Sequence, residues 1–207
     1  VSLTGPVHWI TPLCSIATLS AIARTEVMSW VMVIAVARDP SLRISAVGHA
    51  HMDLAWLWPI RETIRKGART FSTAIDLADR YPDYVFGASQ PQYLLWMKEH
   101  YPALYAKIVE AVAQGRLEPQ GAMWVEADTN VSGGESLIRQ FIHGKRFFRD
   151  EFGVESELMW LPDVFGYSAA LPQLLKGAGV DYFSTQKLSW SLINDFPHQS
   201  FHWQGID

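Results

Sequence analysis

From Ile44 onward the chain alternates short apolar runs with longer stretches whose apolar residues recur every three or four positions, and no other feature constrains the fold as tightly. Residues 44–51 read as a strand. After Pro59, the positions Ile64, Ala68, Phe71, Ile75 and Ala78 mark an amphipathic helix running to about Arg80. Residues 84–89 form a short strand, 92–114 a helix pair interrupted at Tyr101-Pro102 and closed by Gly115, and 117–125 a third strand. A helix over 135–152 ends at Gly153, followed by a strand at 157–161, a short helix at 169–177, a strand at 182–185 and a candidate sixth strand at 200–204. Strands separated by helices of this length imply right-handed crossovers and a parallel sheet. Five or six such units are too few to close a barrel, so an exposed sheet edge is expected.

Two apolar runs end in groups that carry chemistry. In Gly48-His49-Ala50-His51-Met52-Asp53-Leu54-Ala55-Trp56-Leu57-Trp58, three potential metal ligands stand at alternate positions, and strand geometry points i, i+2 and i+4 to one face. A lone histidine on such a run is more often a hydrogen-bonded core residue than a ligand. Three polar side chains on one face are harder to bury unpaired. Trp56 and Trp58 add apolar faces of the kind that sugar rings stack on. In Leu158-Met159-Trp160-Leu161-Pro162-Asp163-Val164-Phe165-Gly166-Tyr167-Ser168, Pro162 cannot continue a ladder, so Asp163 sits at the carboxyl end of its strand. That is the end where parallel α/β folds collect their ligands, although a turn aspartate capping the next helix would look the same.

These two blocks, with the stretches 44–58, 124–126, 160–168 and 185–190, resemble the α-mannosidases of glycoside hydrolase family 38, most of all their cytosolic and bacterial branch. The resemblance covers 44–207 and leaves 1–43 as an atypical leader. It implies an irregular parallel β/α barrel of about seven strands when complete, of which this chain looks like most without the closing portion. It also implies retaining hydrolysis of terminal α-linked mannose from oligosaccharides, dependent on zinc, with cobalt or manganese as possible substitutes. Carried over position by position, His51 and Asp53 are zinc ligands, and Asp163 is both ligand and nucleophile. Trp56 lies under the bound mannose, and Phe165 lies on the wall of the same subsite. His49 orients a ligand or a carboxylate rather than binding metal, and Lys187 stands where relatives carry a basic residue near the nucleophile. In relatives the fourth ligand, a histidine, and the acid/base aspartate lie on segments after this region, and neither His198 nor His202 corresponds to that ligand. The chain is therefore expected to be an incomplete fragment, and full-length relatives oligomerise through domains outside it.

Composition excludes other classes. Against 21 Asp+Glu there are 17 Lys+Arg in no basic patch, for a net charge of −4, so a nucleic acid is not an expected partner. The apolar run 27–37 is shorter than the roughly 20 residues a membrane span requires, and no charged n-region precedes it. The single Cys14 excludes an internal disulfide and fits a cytoplasmic location. Two rival functions stand beside the hydrolase: a non-catalytic sugar- or zinc-binding remnant, and a zinc-dependent carbohydrate deacetylase.

Overall fold

The computed structural model describes residues 7–9, 29–31, 47–198 and 200–206. The proposed boundary at 43/44, Cys14 and most of 27–37 lie outside the described residues.

Five parallel strands carry the architecture: β3 (Gly48–Ala50), β4 (Phe86–Ala88), β5 (Leu117–Pro119), β6 (Leu158–Trp160) and β7 (Tyr182–Ser184). β3, β4 and β5 pair in sequence order, as do β6 and β7, and a parallel bridge from Gly121 to Met159 spans the gap between the two sets. Between the strands run α1 (Ile60–Arg80), α2 (Pro91–His100), α3 (Pro102–Ala113), α4 (Gly134–Phe152) and α5 (Leu171–Gly177). The alternation read from the sequence is thus present, with strands shorter than expected. Most of the shortening falls on the third strand. Gly121 (φ 100°) and Ala122 (φ 51°) turn the chain out of the ladder, and the remainder of 117–125 is a buried bend.

The sheet edges differ from the expectation. β2 (Ser29–Val31) lies antiparallel against β3, β1 (Val7–Trp9) lies parallel against β7, and β8 (His202–Trp203) pairs antiparallel with β1. The leader therefore contributes strands to both sets, so the outer edges of β3 and β7 are occupied and, among the described residues, the sheets end at β2 and β8 instead. The candidate sixth strand exists but follows β1 in the sheet, in the opposite direction.

Two apolar cores underlie the two strand sets. Phe71, Tyr93, Leu94, Met97 and Ile108 fill the space beneath β3 to β5, while Phe141, Met159, Leu171, Leu175 and Phe183 do so beneath β6 and β7. Each large side chain buried this way is worth about 1.5–3 kcal/mol relative to exposure. The buried stripe of α1 runs through Thr63, Gly67, Thr70, Phe71, Ala74 and Ala78. It is rotated slightly from the apolar periodicity, leaving Ile64, Ala68 and Ile75 at its margin. In α4 the close approach falls at Gly144, where an added methyl would overlap the carbonyl of Ala122 and the backbone of Met123. That contact presses the bend after β5 toward the sheet, which positions what comes next in the chain, Trp124-Val125-Glu126.

Candidate metal centre

All five parallel strands point their carboxyl ends at one face, and the chemistry-bearing residues follow those ends. His51 and Asp53 come after β3, Ser89 after β4, Glu126 after β5, Asp163 after β6 and Lys187 after β7. Parallel sheets favour this because each strand delivers its next residues into the same crevice.

Ligand atoms of His51, Asp53 and Asp163 all lie within 4.8 Å of one another. His51 Nε2 is 3.3 Å from Asp53 Oδ1 and 3.1 Å from Asp163 Oδ2. Two donors each about 2.1 Å from a tetrahedral cation are themselves about 3.4 Å apart, so the donor set fits one small divalent ion. An imidazole nitrogen with two carboxylate oxygens is also a donor set that such ions accept.

Behind His51 stands a residue that no sequence pattern marks. The ring's Nδ1 donates to Glu126 Oε2 at 2.6 Å, and Glu126 Oε1 accepts from Ser89 Oγ at 2.8 Å. With Nδ1 carrying that proton, Nε2 is the nitrogen left to face Asp53 and Asp163, the arrangement in which a carboxylate orients a metal-binding histidine. Burial works against a charged imidazole. The hydrogen bond and charge of Glu126, joined by Asp163 and Asp53, outweigh it and push the ring up to about 9. Tyr93 completes the loop's support by donating to Asp53 O at 3.0 Å. Burial, with the nearby charges of Asp53 and Glu126, pushes its phenol upward, so it remains a donor.

Around Asp163 the partners are cationic and aromatic. Lys187, its side chain only 5% exposed, forms an ion pair with Asp163 Oδ1, and its ammonium lies 3.1 Å from the Trp190 ring centroid and 4.9 Å from that of Phe165. Lys187 is therefore not a solvated lysine; it is held against the candidate nucleophile. Tyr167 fastens the same loop by donating to Val164 O, and its hydroxyl also meets Thr185 Oγ1. Gly166 is needed where Thr129 and Asn130 close over it, since Thr129 Oγ1 donates to Gly166 O and a Cβ at 166 would strike the Asn130 side chain.

The remaining expected residues divide. Trp56 is 61% exposed and Phe165 73% exposed, each carried a few residues past a ligand on the same loop. Trp190, 56% exposed, packs edge-on to Phe165 and adds a second ring beside it. Trp58 is not a stacking surface of that kind. Its indole donates to Thr63 Oγ1 at 2.8 Å, and Lys66 lies over the ring, which staples the start of α1. The role expected of His49 also needs correction. Its Nδ1 bonds Gly87 O at 2.9 Å and its Nε2 accepts from Trp160 Nε1 at 3.0 Å, so both nitrogens bind β4 and β6 rather than a ligand or a carboxylate. Burial lowers its basicity, in keeping with a neutral ring. His198 packs edge-on to Phe196 and tilted against Phe201, and His202 lies on β8.

Comparisons with known proteins show the family and a likeness of fold. Residues 41–207 match the model of the glycosyl hydrolases family 38 N-terminal domain. Alpha-mannosidase 2C1 of Homo sapiens is 51% identical over 164 residues, covering 79% of this chain and 16% of that protein. Alpha-mannosidase G of Dictyostelium discoideum is 52% identical over 169 residues, covering 82% and 16%. An alpha-mannosidase of Saccharomyces cerevisiae is 48% identical and covers 79% and 15%. Among solved structures, an alpha-mannosidase from Enterococcus faecalis superposes with a TM-score of 0.62 at 23% identity over 67% of this chain and 16% of that one, a likeness of fold. The chain thus spans about 16% of the length of the curated relatives it matches.

Proposed function

The chain belongs to the glycosyl hydrolases of family 38, matching their N-terminal domain, and on that premise we propose that it forms the metal-holding, sugar-binding face of a retaining α-mannosidase. The observation that carries this reading is the convergence of His51, Asp53 and Asp163 within 4.8 Å, with Lys187 paired to Asp163. His51, Asp53 and Asp163 would hold zinc, with cobalt or manganese as alternatives, and the ion would supply Lewis acidity toward the hydroxyls of the bound sugar.

The chain's own residues do the rest apart from protonating the leaving oxygen. Asp163 is the nucleophile: one carboxylate oxygen attacks the anomeric carbon as the glycosidic bond breaks, giving a glycosyl ester with inverted configuration that water then hydrolyses. Lys187 balances the charge of that carboxylate and, wedged against Trp190 and Phe165, fixes its approach. Glu126 accepts from His51 Nδ1 and so directs Nε2 toward Asp53 and Asp163. Trp56 and Phe165 present apolar faces to the C–H side of the pyranose, where stacking excludes water. The acid that protonates the leaving oxygen is assigned, by resemblance, to the segments that follow this region in longer relatives. The substrate class is mannose-terminated oligosaccharide, and by likeness to the cytosolic branch the location is cytoplasmic. Among the described residues no helix is long and apolar enough to cross a membrane. Nothing in the site favours the deacetylase, and the matched family is one of glycosyl hydrolases.

The decisive measurement is release of p-nitrophenol from its α-mannoside by a full-length family member carrying this chain in place of its matching segment. Zinc-dependent turnover, lost on chelation and restored by zinc, is expected. Turnover that survives full chelation would sink the metal assignment, and a chimera that folds and binds zinc but leaves the mannoside intact would favour the non-catalytic remnant.

A further inference from the structure

We propose that Gln90 is a positioning residue that holds the loop bearing His51 and Asp53 in register with Glu126, an inference that rests on the metal-centre reading above. Among the described residues Gln90 and Ala122 are the non-glycine residues with positive φ, at 65° and 51°. A side chain in that region is uncommon, and one that is only 4% exposed persists because its surroundings require it. What they require is visible. Gln90 Nε2 donates to Met52 O at 3.0 Å, and Gln90 Oε1 accepts from the Glu126 backbone N–H at 3.2 Å. A carbonyl can only accept and an N–H can only donate, so these partners fix which way the amide points.

Met52 lies between His51 and Asp53, and Glu126 is the carboxylate that orients His51. One side chain on the loop after β4 therefore bridges the loops after β3 and β5, while its neighbour Ser89 grips the carboxylate of Glu126 itself. Glutamate at 90 would lose the donor to Met52, and asparagine is a methylene short of both partners. The left-handed backbone turns the side chain toward the crevice at the point where α2 begins, so the strained φ and the bridge are two aspects of one device.

The test measures zinc affinity by competition with a chromophoric chelator in the full-length chimera carrying this chain and in its Gln90→Gly and Gln90→Asn forms, alongside the thermal midpoint and hydrogen exchange of the Glu126 amide. Both substitutions suit a positive φ, so the fold is expected to hold while the bridge is lost. The expected result is zinc binding weakened by about 10-fold in both variants, in the range seen when groups behind a ligand are removed, with faster Glu126 exchange and a midpoint lowered no further than the loss of two hydrogen bonds accounts for. Native-level zinc affinity in either folded variant overturns the inference, as does a weakening that merely tracks a lowered midpoint. Failure of the unsubstituted chimera to bind zinc overturns the metal reading and this inference with it, and is recognised before any variant is made.

Discussion

The two ends of the parallel strands differ in how far their polar side chains bond to one another. Where the strands begin, cations bond to the backbone. Arg116 donates to Tyr81 O at 3.1 Å ahead of β4, and Lys145 donates to Ser156 O at 3.0 Å and Gly179 O at 3.3 Å, ahead of β6 and β7. Where the strands end, side chains bond to one another: His51 to Glu126, Asp53 and Asp163, Glu126 to Ser89, and Asp163 to Lys187. A side chain bonded to a carbonyl fixes the path of the chain. A side chain held by another side chain is itself aimed, and here the aimed groups include His51, Asp53 and Asp163, gathered where one cation can reach all three.

If that contrast is sound, substitutions at the two ends should fail in different ways. The largest effect is expected in a full-length context. Asp163→Asn should lower kcat by roughly 10⁴-fold or more, the scale felt on losing a nucleophile, because an amide cannot form the glycosyl ester. Asp53→Asn should chiefly weaken zinc binding and regain part of its activity with added zinc. Equal, zinc-insensitive losses in steady-state assays of the two variants would reduce Asp163 to a structural role. Next in size, Glu126→Gln should weaken zinc binding by about 10-fold to 100-fold with little change in thermal midpoint, read by chelator competition and calorimetry. A large drop in midpoint with zinc affinity retained would place Glu126 on the structural side of the comparison.

At the other end the readout reverses. Lys145→Met keeps the aliphatic stem but strands two carbonyls, so stability should fall by about 1–2 kcal/mol in urea titrations while zinc affinity stays at the native level. The smallest effect concerns pH. Glu151, which accepts from Lys98 Nζ at 2.6 Å and Tyr105 Oη at 2.7 Å, sits in a partly buried site that raises its affinity for a proton, but those two hydrogen bonds overcome this and hold its carboxyl below the ordinary 4.5. A carboxylate lowered on folding adds stability above its unfolded value and loses it as the pH falls through the folded one. Glu151→Gln should therefore flatten the acid limb of the stability curve below about pH 4.5 and leave neutral-pH zinc affinity unchanged. An acid limb that stays as steep in the variant would remove Glu151 from the groups responsible.

Much of this architecture is legible in the amino-acid sequence, for reasons specific to each residue. Asp163 is legible because Pro162 ends its strand, and His51 and Asp53 because carboxylate and imidazole follow an apolar run at alternate positions. The same alternation misleads for His49: β3 stops at Ala50, so His49 is still within the sheet while His51 is already in the loop. Glu126 is out of reach because it meets His51 across 75 positions, and no local period links them. The resemblance block 124–126 contains it, but nothing in that stretch says which of its side chains faces inward. The length of β5 is overestimated because an apolar run looks alike in a ladder and in a buried bend, and only the positive φ values at Gly121 and Ala122 separate the two.

The bond from Trp160 to His49 joins residues 111 positions apart, and it ties the strand before the first ligands to the strand before the last. Such a contact can form only after nearly the whole intervening chain has been synthesised and its helices have shortened the distance to be closed. The proposed donor set likewise needs both strands in place, since His51 and Asp53 follow one and Asp163 the other. On that reading an emerging or partly unfolded chain would carry His51 and Asp53 without Asp163 and would grip a metal ion poorly. Metal affinity would then report whether the strands have come together.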